Sequence, residues 1–261
     1  MTDLPIERLA EAMRNQVAGV VSLVRDADLA RPVPTCPDWD LRALVEHLGQ
    51  AHRFGASSVE RRVTGPADIA EREAAPADPA ALPDWLTEGA ERLVAAVREA
   101  GPGRSVWNFT GVDQRAAFWL RRMVHETAVH RADVALTLAA PYRLEPDMAA
   151  DGISEWLLLV TSPGAAARRP DLVAAVRGTG QTLHLHATDE PSLGEAGEWM
   201  IERGRDEVTW TRGHRKADAA ARGPAADLLL MMMRRLPVRN DRIELLGDAG
   251  LFEHWVEHVS F

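Results

Sequence analysis

Residues 118–133, FWLRRMVHETAVHRAD, decide how this chain is read, because they set a Glu and a His four residues apart inside an uninterrupted helical pattern. At that spacing Glu126 and His130 point the same way, one turn apart. Phe118, Met123, Val129 and Val134 lie close to the same face, and proline is absent from 118–140, so the pattern predicts a helix across that span. A carboxylate and an imidazole on one helical face suit a metal ion. With a further imidazole they make a three-ligand site with one coordination position open. Standing alone, the same pair is more often a simple ion pair, so the rest of the chain has to decide.

Toward the N-terminus, residues 4–27 repeat apolar residues with helical spacing, Ile6, Leu9, Met13, Val17, Val20, Val21 and Val24, with Asp3 as the expected cap and Pro5 in the first turn. Residues 31–39, RPVPTCPDW, hold three prolines and predict a rigid extended connector. Asp40 is then positioned to cap a second helix over 41–61, with Leu44, His47, Leu48, Ala51 and Phe54 on its inner face. Residues 65–83 lose the periodicity and read as a loop; 85–100 regain it, and Gly101, Pro102 and Gly103 end it. Four amphipathic helices predict a four-helix bundle for residues 1–140.

Toward the C-terminus the texture changes. Residues 141–180 read as a linker and one helix, 147–160, followed by a break over 161–170. Residues 182–188, TLHLHAT, and 207–211, EVTWT, alternate with the period of strands; 198–202, 216–221 and 242–246 are further candidates. With a buried helix over 224–236 and a closing helix over 249–259, residues 181–261 predict a small α+β domain built on antiparallel strands.

His47 completes the constellation with Glu126 and His130. Two imidazoles and a carboxylate leave a fourth position open, the arrangement of a catalytic zinc, and the same set suits non-haem iron. In that position an ion would hold water as hydroxide or a thiol as thiolate. Composition narrows the partners. A net charge of -9 over 261 residues and the lack of a basic tract argue against nucleic acid, which leaves a small-molecule substrate as the expectation. No apolar run is long enough for a membrane span, and the acidic, amphipathic N-terminus is unlike a signal peptide, so a cytoplasmic location is expected. Cys36 is the one cysteine, which excludes an internal disulfide and a cysteine-rich zinc site. Oligomeric state leaves no mark in the sequence.

Segments 33–54, VPTCPDWDLRALVEHLGQAHRF, and 119–134, WLRRMVHETAVHRADV, resemble the signature of the mycothiol-dependent maleylpyruvate isomerase family. TLHLHATDE, GEWMI, PAADLLLMMMRR and LLGDAGLFEHW resemble its C-terminal domain, so the likeness spans nearly the whole chain. The resemblance implies a DinB-like four-helix bundle followed by a small sterol-carrier-like α+β domain. It implies that His47, Glu126 and His130 hold a divalent metal, zinc foremost, and that mycothiol, a cysteine-containing thiol of actinobacteria, is the cosubstrate. A metal-held thiolate would add to an electrophilic small molecule, giving cis-trans isomerisation if it is eliminated again and thiol transfer if it stays. The family also uses an arginine of the C-terminal domain on an anionic substrate, which points to Arg234 or Arg235.

Other residues carry two readings. Asp133 either orients His130 or pairs with Arg131 or Arg122, and Trp39 either staples the connector or stacks on substrate. His125 points about 100° away from Glu126, His52 is poorly spaced for the same ion, and Cys36 has no activating neighbour in sequence. His184 and His186 share a strand face, as an active-site lining or the polar side of a sheet; His254 and His258 read as a solvated face. Two competing functions follow. A metal-dependent hydrolase lacks an evident general base, since no Glu follows His47. A non-catalytic, metal-stapled ligand- or partner-binding protein would use Met231, Met232 and Met233 as its lining.

Overall fold

In a computed structural model the described residues are 4–68 and 71–259, and they form two compact units, Met1–Tyr142 and Arg143–Phe261. The first holds α1 (Ile6–Val24), α2 (Leu41–Glu60), α3 (Leu82–Ala100) and α4 (Ala116–Thr137). Each of α1 to α3 buries one stripe; α1 buries Leu9, Met13, Val17, Val20 and Val24. Helix α4 touches all three others, which is why it is buried on more than one side, from Phe118, Trp119 and Leu120 to Ala132 and Val134. It ends three residues earlier than the sequence suggests, because Ala139 takes a left-handed backbone, φ 52.

Local chemistry explains the boundaries. The Asp40 carboxylate accepts the Ala43 N–H at 2.8 Å and starts α2. The expected cap of α1, Asp3, lies outside the described residues. Gly101, with φ 83, ends α3 in a conformation that side chains resist. Helices α2 and α3 approach closely through Gly49, where an added Cβ would sit 2.1 Å from the Trp85 ring. The proline-rich connector is a folded turn and not an extended strip: the Val33 and Cys36 N–H groups donate to the Trp39 and Val33 carbonyls, and Val33 is buried.

One stripe differs from expectation. The buried face of α2 runs through Leu41, Leu44, Val45, Leu48, His52, Ala56 and Val59, so His52 is the histidine in the core and His47 stands at its edge, half-buried. The apolar residues Ala51 and Phe54 had pulled the expected face about one position around the helix.

The second unit holds α5 (Pro146–Thr161), α6 (Pro163–Arg168) and α7 (Pro170–Val176), then β1 (Gln181–Ala187), β2 (Glu198–Arg203), β3 (Val208–Arg212), β4 (Ala219–Gly223), α8 (Ala225–Met232), β5 (Glu244–Gly247) and α9 (Ala249–His258). Residues 161–170, expected to be a break, hold the last residue of α5, all of α6 and the first residue of α7. Proline at the first helical position costs no hydrogen bond, and Ser162 caps α6 through the Ala165 N–H.

The sheet order is β3-β2-β1-β4-β5. It is mixed, not purely antiparallel, because β1 and β4 run parallel while every other pair is antiparallel. Register sorts the faces. Leu183 opposes Ile201 and Ala219, and Leu185 opposes Trp199 and Ala221; all six are fully buried beneath the helices. The alternate residues His184, His186 and Glu198 therefore stand together on the opposite face.

Candidate metal centre

Three donor atoms converge in the first unit. His47 Nε2 from α2 lies 2.9 Å from Glu126 Oε1, and His130 Nε2 lies 3.4 Å from the same oxygen. Such a trio fits one cation: tetrahedral zinc with bonds near 2.1 Å holds its ligands roughly 3.3 Å apart. The helical spacing of Glu126 and His130 supplies one side of the site, and the packing of α2 on α4 supplies the other.

The surroundings fix which atoms face inward. Asp133, fully buried one turn beyond His130, accepts from His130 Nδ1 at 2.8 Å and from Thr35 Oγ1 at 2.6 Å. With its proton held on Nδ1, His130 turns the lone pair of Nε2 toward His47 and Glu126. The contact with His130 is the one expected of an orienting Asp133. Arg122, four residues before Glu126, binds Glu126 Oε2 and leaves Oε1 to the site. Trp39 covers both imidazoles, its ring centroid 4.7 Å from that of His47 and 5.7 Å from that of His130.

Electrostatics favour the ligating form of His47. Burial, then the neighbouring His130, Arg72 and Arg122, push its pKa from 6.5 down to about 4, so it is neutral at physiological pH. As a neutral imidazole it can meet Glu126 Oε1 through an Nε2–H, and an ion taking the place of that proton would bind the same nitrogen.

His52 is separate: it is fully buried and exchanges a hydrogen bond of 2.8 Å with Thr127 Oγ1. His125 is also buried and is not among the converging donors. Cys36 comes to 3.8 Å from Asp133 Oδ2 and, with His130 and Asp133, makes a second donor group that overlaps the first at His130. Arg234 and Arg235 occupy the turn after α8 in the second unit; Arg234 is exposed with φ 62, and Arg235 donates to the Met233 carbonyl at 2.7 Å.

Two participants escaped the sequence reading. Thr35 was passed over as part of a stiff connector, because only the folding of that turn brings it to Asp133. Arg122 was considered only for Asp133, although its spacing of four from Glu126 was visible.

Comparison with known proteins came out as follows. The model of the mycothiol maleylpyruvate isomerase N-terminal domain matches residues 10–135, and that of the same family's C-terminal domain matches residues 147–254. Among solved structures, the crystal structure of the mycothiol-dependent maleylpyruvate isomerase is similar, with TM-score 0.57 and 17% identity over 94% of this chain and 95% of that one. A mutant of that enzyme gives TM-score 0.59 at the same identity and coverage. At that identity the likeness is one of fold. No curated protein matches the chain.

Proposed function

This chain belongs to the mycothiol-dependent maleylpyruvate isomerase family, with both domains in order, and on that premise we propose that it is a divalent-metal-dependent enzyme using mycothiol. His47, Glu126 and His130 hold the metal, zinc being the best fit to two imidazoles and a carboxylate. The observation that carries this reading is the convergence of His47 Nε2 and His130 Nε2 on one oxygen of Glu126, within 3.4 Å.

A bound zinc supplies Lewis acidity, which stabilises a thiol as thiolate at neutral pH without a protein base. The chain does the rest. Asp133 keeps the His130 proton on Nδ1, and Arg122 holds Glu126 by its second oxygen, so the donors keep their places as substrates enter and leave. Trp39 is half-exposed over the imidazoles and forms an apolar wall against which a conjugated electrophile can lie. A thiolate held there would add to an electrophilic carbon and open the conjugated C=C bond to an enolate; rotation and expulsion of the thiolate would give cis-trans isomerisation, and protonation of the enolate by water would give a thiol conjugate. Arg234 and Arg235 are each a candidate for binding an anionic group.

The two alternatives find less support. A hydrolase needs a free base, and Glu46, the carboxylate next to His47, is held by Arg42 at 2.7 Å. A ligand pocket lined by methionine is disfavoured because Met231 and Met232 are core residues.

Metal content and mycothiol consumption test the proposal together. The purified chain should carry metal at the bundle and accelerate mycothiol-dependent conversion of maleylpyruvate or a related electrophile, and His47→Ala should lose both. A folded His47→Ala chain with unchanged turnover would refute it.

A further inference from the structure

The polar face of the second unit's sheet carries a second converging set. His184 and His186 stand two apart on β1, and the β1–β2 register sets Glu198 directly opposite His186. Gly213, with φ 138, turns the chain back after β3 and returns His214 to the same spot. Ligand atoms of all four lie within 4.8 Å of one another.

The contacts within the set are not those of a settled ion-pair cluster. Glu198 Oε2 accepts from His184 Nε2 at 2.6 Å, and Oε1 accepts from His214 Nδ1 at 3.1 Å. His186 Nδ1 sits 2.7 Å from Oε1, yet makes no hydrogen bond there and is shielded from water. At that distance the in-plane direction of Nδ1 misses Oε1, so a buried ring nitrogen is left without a hydrogen-bond partner beside a carboxylate. A cation held by the set gives that nitrogen a partner after a small turn of the ring. The three rings meet edge to face with centroids 5.0 to 5.9 Å apart, close enough for one nitrogen of each to lie within 4.8 Å of the others.

We propose that His184, His186, His214 and Glu198 form a second metal site, distinct from the bundle centre, that binds a divalent transition ion such as zinc. Three imidazoles and one carboxylate are a borderline donor set that prefers zinc, copper or nickel to calcium or magnesium. Ligands around tetrahedral zinc stand roughly 3.3 Å apart, so each Glu198 contact opens by less than about 1 Å on binding. Arg215 and Lys216 line the rim of the recess but are exposed, so water screens their repulsion of a cation.

The test is titration of the full-length, chelator-stripped chain with zinc or cobalt alone, read by calorimetry and by cobalt absorption in the visible. His47→Ala, which disables the bundle centre, should still bind one ion. Adding His214→Ala, on an exposed turn where folding is not at risk, should weaken that ion at least tenfold, and His186→Ala should do likewise. Binding of no ion by a folded His47→Ala chain would overturn the second site. So would an ion whose affinity ignores both His186→Ala and His214→Ala, since surface histidines would then be holding it. If the wild-type chain binds one ion that His47→Ala leaves and His214→Ala removes, the sheet site stands and the bundle proposal fails.

Discussion

The bundle and the sheet gather nearly the same donors by opposite means. In the bundle, Glu126 and His130 share a face because a helix repeats every 3.6 residues, and His47 arrives from a helix 79 residues earlier. In the sheet, His184 and His186 share a face because a strand repeats every two residues, and Glu198 arrives by hydrogen-bonded register. The difference lies in what stands behind the donors. Asp133 backs His130 from a fully buried position, whereas the fourth donor of the sheet, His214, rides on an exposed turn. If both hold an ion as proposed, the bundle centre should retain its own and the sheet cluster should exchange one.

The strongest way to break this contrast is His47→Ala. Losing one of three ligands should weaken metal binding at the bundle by more than about 100-fold, beyond the range that outer partners alone control. Thiol-dependent turnover should fall with it, while any ion on the sheet stays. Next comes Asp133→Asn, which keeps the shape but weakens the hold on His130 Nδ1; metal affinity at the bundle should drop roughly 10- to 100-fold. Competition with a chromophoric chelator measures both.

A kinetic comparison sharpens the same point. Under a weak chelator, the sheet ion should leave first and the bundle ion later, as two phases in a stopped-flow trace. His214→Ala should merge the fast phase with the mixing time and leave the slow phase alone.

His52 allows a gentler test of the bundle's core. Replacing it with Ala removes a buried hydrogen bond to Thr127 and leaves a cavity, so urea unfolding should show a loss of roughly 2 to 3 kcal/mol. Burial holds its folded pKa at about 3, below the ordinary 6.5 of the unfolded chain. Its contribution is thus complete above about pH 6.5 and is lost as pH falls toward 3, because only the unfolded chain readily takes up the proton. In metal-free protein the urea midpoint should fall across that window, and His52→Gln should make the fall shallower.

Much of this was legible before any coordinates. The cap at Asp40, the stop at Gly101 and the α4 periodicity are local statements, and each element appears within a few residues of its expected place. What failed depended on neighbours. The inner face of α2 was misjudged because Ala51 and Phe54 look as apolar as Val45 and Ala56, and only packing on α3 and α4 chooses between them. The parallel pairing of β1 with β4 was hidden because a strand's own alternation does not say which way its neighbour runs.

The sequence by itself determined the bundle, the strands that build the sheet and the pairing of Glu126 with His130, because these follow from spacing along one chain. Tertiary structure alone decided that Thr35 and Asp133 would orient His130, that Trp39 would cover the imidazoles, and that His214 would join Glu198. The reason is physical: helical and strand periods carry only a few residues forward. Contacts across 79 or 98 residues arise from how apolar faces pack.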